Sequence, residues 1–151
     1  MSRAEQLYQE VILDHNRNPR NYGTLEPHTH SSHGRNPLCG DDYFIYLKLD
    51  GDLVSEVGFQ GAGCAISKAS ASMMTTAVKG KSREEILKLK DHFLELITSE
   101  QPSAQCQESI GRLKLFEGVR KFPVRVKCAA LAWRALEDAL SSAQQNSVST
   151  E

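Results

Sequence analysis

The chain has 151 residues, with 18 Lys and Arg against 19 Asp and Glu, for a formal net charge of -1. That length can bury a sizeable core in one domain without disulfides, and the balanced charge excludes a strongly basic nucleic-acid footprint. No apolar run approaches membrane length, and Met1-Ser2-Arg3 leads into an amphipathic pattern instead of a signal-peptide core, so the expectation is a cytoplasmic protein with reduced cysteines.

Ser2-Arg3-Ala4-Glu5 reads as a capping box, after which Ala4, Leu7, Tyr8, Val11 and Ile12 repeat at helical spacing until Asn18-Pro19. From Asn21 to Leu38 the chain is polar and broken by Pro27, Gly34 and Pro37, with room for at most one short edge strand. Tyr43 to Leu49 and Leu53 to Gln60 flank Asp50-Gly51, which predicts an antiparallel hairpin. Gly61-Ala62-Gly63-Cys64 then opens an Ala- and Ser-rich helix that runs to about Lys79 and stops at Gly80. Its small side chains predict flat packing on the hairpin, with Met73 and Met74 as core filler.

A second capping box, Ser82-Arg83-Glu84-Glu85, starts a helix with Ile86, Leu89, Phe93, Leu96 and Ile97 on its inner face. A short helical segment within Ile110 to Phe116 is weakened by Gly111. The last helix starts near Val124 and carries Cys128, Leu131, Ala132, Ala135, Leu136, Ala139 and Leu140. Residues 142–151 have little to bury and are expected to be a disordered tail behind a domain of residues 1–141. A hairpin inside a run of helices makes the fold class α+β.

Three of the four cysteines sit at joints between elements: Cys39 in a Pro/Gly loop two residues before Asp41, Cys64 where one helix begins, and Cys128 where the last begins. A helix N-terminus favours thiolate over thiol. Three thiolates and a carboxylate make a four-ligand set for tetrahedral zinc, or an open site for iron and sulfur. Cysteines also serve as small buried hydrophobes, and no C-x-x-C pair is present, so spacing alone does not decide. The flanks favour the metal: Gly40 permits a tight turn between Cys39 and Asp41, and Arg125 and Lys127 would offset the ligands' negative charge. Loop-borne Cys39 is then the thiolate best able to leave a metal and attack a persulfide. Cys106, in a polar surface-like segment, reads as a bystander.

The chain resembles the U-type scaffold family of iron–sulfur cluster assembly, in its SufU branch. The resemblance rests on Asn36-Pro37-Leu38-Cys39-Gly40-Asp41, Gly61-Ala62-Gly63-Cys64-Ala65-Ile66-Ser67, Lys121-Phe122-Pro123 and Arg125-Val126-Lys127-Cys128-Ala129, and spans nearly everything from Leu7 to Leu140. It implies a small antiparallel sheet packed with helices and the three cysteines meeting at one end. It further implies zinc held by Cys39, Asp41, Cys64 and Cys128, and sulfur accepted on Cys39 from a cysteine desulfurase and passed to a downstream iron–sulfur assembly complex. Such a protein is a sulfurtransferase-like carrier rather than an ordinary turnover enzyme. Lys127 stands where IscU-like chains carry histidine, and the link containing Arg83 to Arg112 is longer than theirs; both favour SufU. The alternatives are a scaffold that binds iron or assembles and transfers a [2Fe–2S] cluster, and a non-catalytic zinc-stabilised interaction domain. The family places an edge strand near His28, His30 and His33, which are read as solvated on it.

Overall fold

The computed structural model describes residues 2–141 and 146–150. Ser2 caps α1 (Arg3–Arg17), its hydroxyl accepting the Glu5 amide at 3.1 Å. The apolar stripe of α1 is only half used: Ile12 is buried and Tyr8 and Val11 partly so, while Leu7 faces solvent.

The hairpin pairs β2 (Asp41–Asp50) with β3 (Leu53–Ala62) in antiparallel register, closed by a turn in which Gly51 takes φ +61. β1 (His30–Asn36) lies antiparallel on the other side of β2. A fourth strand, β4 (Asn146–Ser149), runs parallel to β1, giving the order β3-β2-β1-β4. The sheet is therefore mixed, and β1 is internal.

Helices cover one side of it. Both halves of the Ser82 capping box form at the start of α3 (Arg83–Thr98): the hydroxyl accepts the Glu85 amide at 3.1 Å and the Glu85 carboxylate accepts the Ser82 amide at 3.0 Å. After it come α4 (Ala104–Ser109), a 3-10 helix (Gly111–Lys121) and α5 (Pro123–Ser141). α5 lies close on β1, because a Cβ added at Gly34 would come within 3.1 Å of Leu131 and 3.2 Å of Ala135. α2 (Ala65–Val78) packs beside α5, where buried Ser70 donates to the Ala129 carbonyl at 2.7 Å. Its small residues thus serve contact with α5 and α1, and only partly the expected contact with the hairpin, through β3. Met73 and Met74 are buried core side chains. α3 is joined to α5 by Trp133, fully buried and stacked on Phe93 at 4.6 Å, and by Lys90, which reaches Glu137 at 2.6 Å.

Four expectations are corrected. β1 is not an edge strand, since β4 extends the sheet past it. The tail reading fails at Asn146–Ser149, because strand pairing uses backbone groups and needs little apolar area; Val148 supplies some. The rest of 142–151, apart from Thr150, lies outside the described residues. Cys106 is fully buried on α4, its thiol donating to the His92 carbonyl at 3.1 Å. Cys128 sits well inside α5, beyond the first turn, where the helix dipole has largely faded.

The Trp133 indole N–H is buried without a hydrogen-bond partner among the described residues. Trp133→Ala should lower stability by about 3–5 kcal/mol through the cavity it opens. Trp133→Phe should cost much less, because it also removes the unsatisfied donor. Urea unfolding of both variants measures the difference.

Candidate metal centre

The joint between β1 and β2 is a turn over Pro37–Gly40, in which the Cys39 amide donates to the Asn36 carbonyl at 3.2 Å and Gly40 takes φ +69. The turn leaves Cys39 half-exposed and Leu38 facing solvent. Asp41, the first residue of β2, is 2% exposed. Its Oδ1 accepts the Cys64 amide and the Ser67 hydroxyl, each at 2.9 Å, and its Oδ2 accepts the Asn36 side-chain amide at 3.2 Å. Tyr43 adds its hydroxyl to Ser67 at 3.2 Å. Gly63 is required beside this cluster, since a Cβ there would meet Asp41 Oδ1 at 2.5 Å and Ser67 Oγ at 2.6 Å.

Cys39, Asp41 and Cys128 bring their donor atoms within 4.8 Å of one another, the one such group found among the described residues. Thiolates around a tetrahedral zinc, with bonds of about 2.3 Å, lie about 3.8 Å apart, so the trio needs only a small contraction to close on an ion. Cys64 is not within that group. Its thiol caps α2 by accepting the Ser67 amide at 3.4 Å, and it borders Cys128 closely enough to affect its ionisation.

Burial above all drives the Cys128 thiol far above its ordinary pKa, and its neighbours Cys39, Asp41 and Cys64 push the same way. Helix position therefore does not activate it, contrary to the expectation. Ionised, Cys39 and Cys128 beside the Asp41 carboxylate would crowd negative charge within 4.8 Å, and a divalent cation is the group whose chemistry fits such a donor set. Arg125 is exposed and lies over the Phe122 ring at 4.4 Å, its charge acting on the Tyr8 hydroxyl. Lys127 is half-buried, and its carbonyl accepts the Thr150 hydroxyl at 3.2 Å.

Asn36 is the residue that sequence reading missed, although it belongs to the quoted run ending in Asp41. It is fully buried, and its amide nitrogen reaches both Asp41 and, at 3.6 Å, the Cys128 sulfur. Its Oδ1 is buried without a hydrogen-bond partner among the described residues. The histidines form no common cluster. His28 bonds the Leu25 carbonyl and lies outside β1, His30 bonds the Thr29 hydroxyl, and His33 pairs with Asp42 at 2.5 Å while stacking on Phe44.

The family model described as NifU-like N terminal domain matches residues 7–129. The chain belongs to that family. Two relatives carry different descriptions. One is the zinc-dependent sulfurtransferase SufU of Bacillus subtilis, 44% identical over 131 residues, which cover 87% of this chain and 87% of that protein. The other is the iron-sulfur cluster assembly scaffold protein IscU of Streptococcus pyogenes, 42% identical over 140 residues, covering 93% and 86%. The crystal structure of a putative iron-sulfur cluster assembly scaffold protein for the SUF system from Fervidobacterium islandicum superposes with a TM-score of 0.82 at 32% identity, over 90% of this chain and 98% of that one. This NifU-like domain thus has the α+β architecture expected of it.

Within this NifU-like site, Gly63→Ala should displace the Asp41 carboxylate, lowering the melting temperature and weakening retention of added zinc. Cys106→Ser should leave zinc retention unchanged, because its thiol is engaged elsewhere with His92. Calorimetry and zinc titration of the two variants check both outcomes.

Proposed function

We propose that this protein is a sulfur-accepting carrier of iron–sulfur cluster assembly, which takes sulfur from a cysteine desulfurase and passes it onward to the assembly machinery. The observation that carries this reading is the convergence of Cys39, Asp41 and Cys128, with Cys39 alone of the three on a solvent-facing turn. Family membership and the similarity to the zinc-dependent sulfurtransferase SufU of Bacillus subtilis support it.

The ligands would be Cys39, Asp41 and Cys128, with Cys64 the fourth. Zinc in that set supplies thiolate stabilisation, keeping the cysteines deprotonated yet poorly nucleophilic. Each residue then has its own task. Asp41, pinned by Asn36, Ser67 and the Cys64 amide, fixes the floor. Cys128 is fixed by α5 and by depth. Cys39 is the one of the three left half-exposed. Its thiolate attacks the terminal sulfur of the donor's persulfide. A new sulfur–sulfur bond forms, the donor's old one breaks, and the donor cysteine leaves as thiolate while the persulfide proton stays with the transferred sulfur. The exchange is redox-neutral. A reducing cytoplasm suits it, and no described helix is long and apolar enough to cross a membrane.

The scaffold reading uses the same donors and draws on the description of the Streptococcus pyogenes relative. Lys127 separates the two readings, because an ammonium group does not ligate iron while protonated.

Zinc-loaded protein should accelerate cysteine turnover by its desulfurase, with the persulfide found on Cys39 by mass spectrometry. Cys39→Ser should abolish the acceleration while retaining part of the zinc. Persulfide confined to Cys128, with Cys39→Ser fully stimulating, would overturn the carrier reading. A stable iron–sulfur absorption spectrum on anaerobic reconstitution of the unmodified chain, absent such stimulation, would establish the scaffold reading instead.

A further inference from the structure

A groove lies away from Cys39, Cys64 and Cys128, on the side of the fold where Cys106 is buried. With a volume of about 720 Å³, it opens between the C-terminal half of α2, α3 and the start of the 3-10 helix. Cys64 caps one end of α2 and Met73 is the first residue of that helix to line the groove, so at 1.5 Å per residue the groove begins roughly 14 Å along the helix from Cys64. Its floor is apolar, built from Met73, Ala77, Leu89, Ile110 and Leu113.

Its rim is cationic. Arg20, Lys79, Lys81, Lys88 and Arg112 line it against a single carboxylate, Glu85, although charge across the whole chain is nearly balanced. Glu85 is already committed to the Ser82 cap. Arg20 pairs with Asp14 and Lys88 with Glu84. Lys79, Lys81 and Arg112 have no ion-pair partner among the described residues. The C-terminal end of α2 favours a cation at Lys79, but no helix end accounts for Arg112. Buried His15 at the groove's back registers the same field: burial foremost, then Arg20 and, more weakly, Arg112 disfavour its protonation, against an opposing pull from Asp14.

The lining narrows the choice of ligand. The amides at the start of α3 are capped by Ser82 and Glu85, so the groove lacks the open helix N-terminus that cradles a phosphate. It has no Phe, Tyr or Trp on which to stack unpaired bases. A flat lipid surface does not reach a concave floor. Carboxylates spaced among apolar side chains match both rim and floor.

We propose that this groove seats an acidic segment of a partner protein, with aliphatic side chains on the Met73 and Leu113 floor and carboxylates against Lys79, Lys81 and Arg112. The site is separate from the cysteine end, so this inference goes beyond the sulfur-accepting reading. A partner held here leaves Cys39 free, and tethering raises the effective concentration of whatever that partner brings to the cysteine end.

The test uses full-length zinc-loaded protein and a fluorescent peptide alternating glutamate and leucine. Anisotropy should show saturable binding that weakens at least about tenfold in the variant Lys79→Glu/Lys81→Glu/Arg112→Glu, and that also weakens with added salt. Replacing the peptide's leucines by serine should weaken it comparably. Lys81→Gln/Arg112→Gln, a milder change, should show a smaller loss in the same direction with unchanged melting. Cys39→Ser should bind the peptide normally, which separates this site from the sulfur-accepting one. No saturable binding, binding indifferent to both groove variants, or displacement of the peptide by inorganic phosphate or single-stranded DNA at equal concentration would each overturn the proposal.

Discussion

Asp41 is a carboxylate almost wholly removed from water, and three donors from two segments hold it there: the Asn36 side chain at the end of β1, and the Cys64 amide and Ser67 hydroxyl at the start of α2. Burying a lone carboxylate costs several kcal/mol even after relaxation. Hydrogen bonds to a charged group return about 1.5–3 kcal/mol each, so three of them are of the size needed to offset that cost. The carboxylate therefore ties together the places where β1 ends, β2 starts and α2 starts. Gly63 is part of the same constraint, since any side chain there would enter the space of Asp41 and Ser67.

The tie also sorts the cysteines by freedom. Cys64 is held as a helix cap, and Cys128 is held by the body of α5. Cys39 lies two residues after Pro37 on a turn whose Leu38 is exposed, and its amide bonds the Asn36 carbonyl. Asn36 thus touches three positions of the centre, through its carbonyl to Cys39 and its amide to Asp41 and Cys128. An unpartnered buried amide oxygen costs about 1–3 kcal/mol. The fold tolerates that cost where the nitrogen of the same side chain joins two candidate ligands.

Most of the fold was legible because its signals are local. The Ser82–Glu85 box, the Asp50-Gly51 turn and the spacing of Ile86, Leu89, Phe93, Leu96 and Ile97 all act within a few residues. What was not legible depends on distant partners. Gln105-Cys106-Gln107 looks solvated, yet Cys106 alone turns inward against α3. β1 is polar in sequence because its buried face meets α5 through Ser32 and Gly34 rather than through large apolar residues; Ser32 donates to Asp138 at 2.8 Å. Asn146–Ser149 carries no strand signal because it borrows its pairing from β1. Within the centre, cysteine and aspartate declare themselves by type, whereas Asn36 matters only through where its amide points.

That last strand has a bearing on the chemistry. The Thr150 amide donates to the Arg35 carbonyl at 3.1 Å, and its hydroxyl donates to the Lys127 carbonyl at 3.2 Å. Arg35 immediately precedes Asn36, and Lys127 immediately precedes Cys128, so the C-terminal segment braces both residues from behind. A centre that only stores a metal gains from rigidity at every ligand. One that releases a thiolate to a partner needs rigidity everywhere except at that thiolate, because each additional moving ligand adds conformational entropy that must be removed before reaction. Bracing at Asn36 and Cys128 and the carboxylate tie at Asp41 leave the half-exposed turn at Cys39 as the more lightly held part of the trio, and it is on this inequality that the proposed release of Cys39 would draw.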